Sequence, residues 1–79
     1  MPELTLYYFP ACPYCRLILD CLDRLDLEIP LRDIRSEPGA RDDLVEIGGK
    51  GQVPCLVIDG QPLYESEDIV HWLEAKSDE

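Results

Sequence analysis

The chain has 79 residues, 46% of them hydrophobic, which suffices for one small domain with a packed core. Seventeen acidic and seven basic residues give a formal net charge of −10, which argues against binding to nucleic acids or anionic membranes because both need a cationic surface. No apolar run approaches the roughly 20 residues of a membrane span, and residues 1–3 lack the basic start of a secretory signal. We therefore expect a cytoplasmic protein that consists of one domain over residues 1–79 and is a monomer.

The first part of the chain predicts a β-strand followed by a helix. Residues 4–9 are apolar at both alternating positions, which is typical of a central strand covered by helices on both sides. Residues 13–25 then repeat apolar side chains at helical spacing, and Pro13 suits the first helical position. The buried stripe of this helix is expected to contain Leu17, Ile18, Cys21, Leu22 and Leu25.

The middle of the chain predicts a second strand and a second helix. Residues 28–34 form the strand, and Pro30 within it indicates an edge of the sheet. The helix begins near residue 36 and ends at the two glycines of positions 48 and 49. Its buried stripe is expected to contain Ala40, Leu44 and Ile47.

The last part of the chain predicts a hairpin and a third helix. Residues 55–58 and 63–64 are two short strands, and Asp59 and Gly60 between them are typical of a tight turn. The helix over residues 66–75 is expected to bury Ile69, Trp72 and Leu73. The order is therefore β-α-β-α-β-β-α, and a right-handed crossover makes the first two strands parallel. We predict an α/β fold with a four-stranded mixed sheet flanked by three helices.

The most informative motif is Cys-Pro-Tyr-Cys at residues 12–15, where the first strand meets the first helix. Cys12 falls at the helix N-cap, where unpaired N–H groups and the helix dipole favour the negatively charged thiolate. Cys15 lies one turn further on and can close a disulfide onto Cys12. The alternatives are half of a zinc site, two incidental buried cysteines, or part of a secreted disulfide framework. The other two cysteines, Cys21 and Cys55, are expected to be buried packing residues.

With this motif, two later stretches resemble known families. Residues 52–54 read Gln-Val-Pro before the third strand, and together with Cys-Pro-Tyr-Cys they closely resemble the glutaredoxins of the thioredoxin superfamily. Residues 53–60 and 63–70 are similar to the N-terminal domain of glutathione S-transferases. The resemblance covers essentially the whole chain. It implies a thioredoxin fold, thiol–disulfide exchange with glutathione as co-substrate, and neither a metal nor a tightly bound cofactor.

The resemblance also implies where glutathione lies against the third strand. The Val53–Pro54 peptide bond is expected to be cis, although only about 5–6% of X–Pro bonds are. The backbone of Val53 then faces an extended peptide such as glutathione, with Gln52 beside it. Tyr14 is expected to form one wall of the same groove. The alternative is that Pro54 is an ordinary proline of an edge strand.

Glu65 and Ser66 match the family positions that hold the γ-glutamyl end of glutathione. A helix N-terminus suits the carboxylate of that group, and Glu65 can accept hydrogen bonds from its ammonium. The alternative is that Ser66 is a simple helix cap followed by acidic residues.

The chain departs from many glutaredoxins at position 9, where they carry a lysine that helps to bind glutathione and this chain has Phe9. The segment before the last helix also lacks the usual Gly-Gly and follows the transferase pattern. Three basic residues are candidates for the missing charge or are plain surface residues: Arg16, Arg35 and Lys50.

We therefore predict a glutaredoxin-like oxidoreductase in which Cys12 attacks a disulfide and either Cys15 or glutathione resolves the mixed disulfide. Its expected partners are glutathione and disulfide-containing proteins. One rival is a thioredoxin-like electron donor recharged by a flavoprotein reductase. Others are an iron–sulfur cluster carrier, a zinc-binding module and a transferase, the last disfavoured because no all-helical domain follows.

Overall fold

In the computed structural model, which describes residues 2–78, the elements occur in the predicted order. They are β1 (Leu4–Tyr8), α1 (Pro13–Arg24), β2 (Leu31–Asp33), α2 (Ala40–Gly48), β3 (Cys55–Ile58), β4 (Gln61–Leu63) and α3 (Ser66–Ser77). The described strands form one sheet in the order β2-β1-β3-β4, in which β1 is parallel to β2 and antiparallel to β3. The predicted α/β fold with a four-stranded mixed sheet is therefore confirmed.

The sheet is buried on both faces. Alternate residues of its central strands point to opposite sides, and both sets contain buried apolar side chains. One core cluster joins the sheet to α1 and α3 and contains Leu4, Leu6, Ile18, Cys21, Leu22, Leu56, Ile69 and Leu73. A smaller cluster on the α2 side contains Tyr7, Leu44, Cys55 and Val57. Both clusters contain residues of β1 and β3, so the loops at the ends of these strands start from the packed core.

Two residues of the predicted buried stripes are exposed, and those predictions were wrong. Leu17 of α1 is 55% exposed and Ile47 of α2 is 37% exposed. A helix that packs on a sheet buries a narrower arc than its apolar residues cover, so positions on the flank of the stripe face outward. Trp72 and Leu25 are only partly buried, at the margin of the larger cluster.

The chain between β1 and α2 is less regular than the sequence predicts. β2 is an edge strand, as Pro30 indicated, but it covers only residues 31–33 of the predicted 28–34. The Asp33 carboxylate accepts hydrogen bonds from the backbone N–H groups of Arg35 and Ser36 at 2.9 and 3.3 Å, which turns the chain out of the sheet. The helix consequently begins at Ala40, not near residue 36.

The hairpin between β3 and β4 has the predicted two-residue turn. Asp59 and Gly60 have φ angles of 48° and 83°, the left-handed conformation that a tight hairpin requires at both positions. Because this turn is so short, β4 begins at Gln61, two residues earlier than predicted. The hairpin delivers the chain directly to the start of α3.

Candidate functional site

The Cys-Pro-Tyr-Cys motif lies at the start of α1, as predicted. Cys12 is the N-cap residue with extended backbone angles, and Pro13 is the first helical residue. The backbone N–H of Cys12 donates to the carbonyl of Phe9 at 3.2 Å, and the Cys12 carbonyl accepts from Arg16 at 3.1 Å. The tight turn after β1 therefore aims the Cys12 side chain at the free N–H groups of the helix.

The two thiols of the motif occupy different environments. The Cys12 Sγ accepts a hydrogen bond from the backbone N–H of Cys15 at 3.4 Å. This N–H belongs to the first turn of α1, where donors lack partners within the helix, so the Cys12 sulfur supplies an acceptor for it. Cys12 and Cys15 are both buried, and Cys15 completely so.

Cys15 is held in its protonated form. The pKa of its thiol is raised to about 12, chiefly because burial disfavours the thiolate. The neighbouring Cys12 side chain also raises this pKa, whereas a backbone hydrogen bond at Phe9 lowers it. Cys15 therefore carries its proton throughout the physiological pH range.

A groove of about 550 Å³ lies beside the motif, between the start of α1, the chain before β3 and the start of α3. Its lining contains all six residues predicted to bind glutathione, namely Tyr14, Gln52, Val53, Pro54, Glu65 and Ser66. Two residues that were not predicted as site residues, Glu67 and Asp68, also line it. Their position in the first turn of a helix beside Ser66 is the sequence signal that would have identified them. Neither cysteine is part of this lining.

The wall of the groove nearest the motif is formed by Tyr14, whose side chain is 62% exposed. In the same lining, Pro54 is buried, Val53 is partly buried and Gln52 is exposed. The Val53–Pro54 peptide bond is cis, as expected. An exposed aromatic ring beside a helix N-terminus offers a flat apolar surface to a ligand.

The start of α3 differs from the predicted cap. Glu65, and not Ser66, is at the N-cap position, and its side chain makes no capping hydrogen bond. Ser66 is the first helical residue, so the interpretation of Ser66 as a simple cap was wrong. Glu65 has φ 68° and ψ 113°, a strained backbone conformation for a residue with a side chain.

The three basic residues considered as sources of positive charge lie outside the groove lining. The Arg35 guanidinium stacks on the Phe9 ring at 3.8 Å from its centroid. The Lys50 ammonium lies 4.5 Å from the centroid of the Tyr64 ring. Arg16 is exposed.

The remaining cysteines are buried, as predicted, but on opposite faces of the sheet. Cys21 belongs to the cluster beneath α1 and α3, and Cys55 belongs to the cluster on the α2 side. Burial raises the pKa of both thiols. Among residues 2–78, no three His, Cys, Asp or Glu side chains are grouped so that they could hold a metal ion. No helix in that range has the length and apolar character needed to cross a membrane.

Residues 6–79 match the family described as glutathione S-transferase, N-terminal domain. The "Probable maleylacetoacetate isomerase" of Caenorhabditis elegans is 36% identical over 73 residues, which are 92% of this chain and 34% of that protein. The chain thus spans about a third of the length of this curated relative.

Two solved structures share the fold. A glutathione transferase homologue from Sulfitobacter, solved with bound glutathione, superposes with a TM-score of 0.79 at 22% identity, over 99% of this chain and 38% of the other. The thioredoxin-like protein BC3987 superposes with a TM-score of 0.77 at 22% identity, over 92% of this chain and 97% of the other. Together they identify the fold as thioredoxin-like.

Proposed function

The chain belongs to the family of the glutathione S-transferase N-terminal domain, and we propose that it acts as a glutathione-dependent thiol–disulfide oxidoreductase of the glutaredoxin type. One observation carries the proposal: the Cys12 Sγ is at the N-cap of α1 and accepts the Cys15 N–H at 3.4 Å. A thiolate is the nucleophile of disulfide exchange, and the partial positive charge of a helix N-terminus stabilises it.

In the first step, the Cys12 thiolate attacks one sulfur of a substrate disulfide. A bond forms between the two sulfurs, the substrate S–S bond breaks, and the leaving thiolate takes up a proton from solvent. The product is a mixed disulfide on Cys12. Because burial keeps Cys15 protonated, Cys12 is the attacking residue.

The mixed disulfide is resolved by one of two routes. Cys15 attacks Cys12, loses its proton and releases the second substrate thiol, and two glutathione molecules then reduce the resulting Cys12–Cys15 disulfide. When glutathione itself is joined to Cys12, a second glutathione attacks directly and glutathione disulfide leaves. In the first route, one substrate disulfide is reduced and two glutathione thiols are oxidised to one glutathione disulfide. In the second route, a glutathione mixed disulfide and one glutathione thiol yield the substrate thiol and one glutathione disulfide.

The groove beside Tyr14 supports glutathione as the co-substrate. Backbone N–H groups at the start of α3 and the Ser66 hydroxyl suit the γ-glutamyl carboxylate, and the Glu65 carboxylate suits the adjacent ammonium. The strained backbone of Glu65 supports this assignment, because such strain is found mainly where function requires it. We propose no tightly bound cofactor, and disulfide-containing proteins are the proposed substrates.

The test is reduction of the mixed disulfide between glutathione and an uncharged small thiol, coupled through glutathione reductase to NADPH oxidation. We expect turnover by the wild-type chain and none by Cys12→Ser. Cys55→Ala is the matched control, because Cys55 is fully buried in the core on the α2 side and outside the groove lining. Turnover by Cys12→Ser comparable to that of the control would exclude the proposal. Turnover only with a flavoprotein disulfide reductase in place of glutathione would favour the thioredoxin-like rival.

A second candidate function is glutathione-dependent isomerisation, favoured by the 36% identity to a probable maleylacetoacetate isomerase. The same groove would then hold glutathione while its thiol adds to the substrate. Isomerisation of maleylacetoacetate that persists in Cys12→Ser, together with no disulfide reduction by the wild type, would favour this function.

A further inference from the structure

The groove beside the Cys-Pro-Tyr-Cys motif is negatively charged. Three of the residues that line it are carboxylates, Glu65, Glu67 and Asp68, and none is basic. The ion pairs found within residues 2–78 involve Arg24 and Arg32, and none of them includes these three acids. The groove therefore carries a negative charge that these ion pairs of the described residues leave uncompensated.

The negative surface continues along the side of the molecule. A second groove of about 490 Å³ shares Ser66 and Glu67 with the first and runs between α1 and α3. Asp20 adds a further carboxylate to it. Its one arginine, Arg24, donates to Glu74 at 2.9 Å, so the positive charge is already paired.

The second groove also has an apolar floor. Leu17, which is 55% exposed, lies on the α1 side and Val70 on the α3 side. Lysine and arginine side chains combine an aliphatic stem with a charged end, so they can cover such apolar residues while their charges reach the surrounding carboxylates. The exposed ring of Tyr14 adds a surface on which a cation is favourable.

From this charge pattern we infer the substrate class of the proposed oxidoreductase. Its substrates are disulfides of peptide segments in which lysine or arginine residues flank the disulfide-bonded cysteine. The inference rests on the proposed function, and the acids act as specificity determinants of that site. The chain as a whole carries −10, so its field adds to the local carboxylates and speeds the approach of basic substrates.

The experiment compares three peptides, each joined through its single cysteine to glutathione. The residues flanking the cysteine are lysines, serines or glutamates, and reduction is coupled to NADPH oxidation. We expect kcat/KM to fall in the order lysine, serine, glutamate, with about tenfold or more between the first and last at low salt. At about 1 M salt, where screening acts over roughly 3 Å, most of this difference should disappear.

Variants locate the effect. The double variant Glu67→Gln with Asp68→Asn should lower the ratio of lysine-peptide to glutamate-peptide kcat/KM several-fold. Asp42→Asn with Glu46→Gln is the matched control, because these two exposed acids are on α2 and outside both groove linings. The control should leave the ratio as in the wild type, and melting curves show that both variants are folded.

The outcomes separate this inference from the proposed function. Reduction of the serine peptide with no preference between the charged peptides would overturn the inference and leave the oxidoreductase intact. An equal drop in the ratio in both double variants would assign the preference to overall charge and overturn the role of the groove. Preference for a glutathione–cysteamine disulfide without preference for the lysine peptide would also overturn it, in favour of small amines. No reduction of any peptide would count against the proposed function itself.

Discussion

The backbone N–H of Cys15 donates a hydrogen bond to the Cys12 Sγ across 3.4 Å, so one turn of α1 connects two thiols of different character. Cys12 is at the helix start, where backbone N–H donors lack partners within the helix. Cys15 is fully buried, and this burial is the main reason that its pKa is raised to about 12. The two thiols thus differ in the way that the proposed function requires of an attacking and a resolving thiol.

Replacing Cys15 distinguishes the two resolution routes. In Cys15→Ser, reduction of a glutathione mixed disulfide should persist because that route needs only Cys12 and free glutathione. Reduction of an intramolecular disulfide in a protein should fall strongly because the internal resolving thiol is absent. Both rates are measured with the NADPH-coupled assay. Equal loss of both would show that glutathione does not reach the mixed disulfide on Cys12.

The raised pKa of Cys15 predicts a pH dependence of stability. A group that keeps its proton more tightly when folded stabilises the fold fully below its unfolded pKa, 9.0, and loses that contribution as pH rises toward about 12. Between these values, the free energy of unfolding of the wild type should fall faster than that of Cys15→Ser. The difference in slope is at most about 1.4 kcal/mol per pH unit, the value for one proton. Urea unfolding under reducing conditions from pH 8 to pH 11 measures both slopes, and parallel slopes would contradict the prediction.

Ser66 should affect glutathione binding and leave stability unchanged. Removing a hydrogen bond to a charged group costs about 1.5–3 kcal/mol, so Ser66→Ala should raise the KM for glutathione disulfide about tenfold or more. Ser66 is the first residue of α3 and not its N-cap, so we expect the melting temperature to stay within error. KM and melting temperature are measured on the same sample. A lower melting temperature with unaltered KM would assign Ser66 a structural role only.

Glu65 should show a conflict between stability and binding. Its backbone has φ 68° and ψ 113°, which costs a side-chain-bearing residue about 1–3 kcal/mol, and glycine adopts such angles more easily. We expect Glu65→Gly to raise or preserve the free energy of unfolding and to raise the KM for glutathione. Glu65→Gln is the matched control, since it removes the charge and keeps the strain. A Glu65→Gly variant less stable than Glu65→Gln would show that the strain is not significant.

Gly48 should be intolerant of substitution because of one close contact. A Cβ at this position would clash with the Tyr64 Oη, which donates to the Lys50 carbonyl at 3.0 Å. We therefore expect Gly48→Ala to lower the free energy of unfolding by about 1–3 kcal/mol, the usual cost of overpacking. Tyr64→Phe removes the nearest atom and should recover part of this loss when the two changes are combined. If the double variant loses as much free energy of unfolding as the two single variants together, the contact with Tyr64 is not the cause.

Much of the fold could be predicted from local sequence patterns. The strand before the motif, the helix after it and the Asp59–Gly60 turn each depend on residues near each other in the chain, because hydrogen bonding, capping and φ preferences are local. The placement of Cys12 at a helix start follows from the same local physics. The residues that line the groove were predicted from the resemblance of short stretches, such as residues 52–54, to known families.

Only the tertiary structure decided which residues share a surface. Nothing local indicates that Leu17 faces a groove shared with Ser66 and Glu67, or that Cys21 and Cys55 lie on opposite faces of the sheet. The backbone of Glu65 is strained because the chain must pass from the hairpin into α3 in a fixed direction. That direction depends on how α3 packs, so it cannot be predicted from the identity of residue 65. The negative charge of the grooves likewise depends on the packing of α1 against α3. This packing brings several carboxylates together and places Arg24 in an ion pair with Glu74. Such long-range arrangements are set by the burial of both sheet faces, which acts on the whole chain at once.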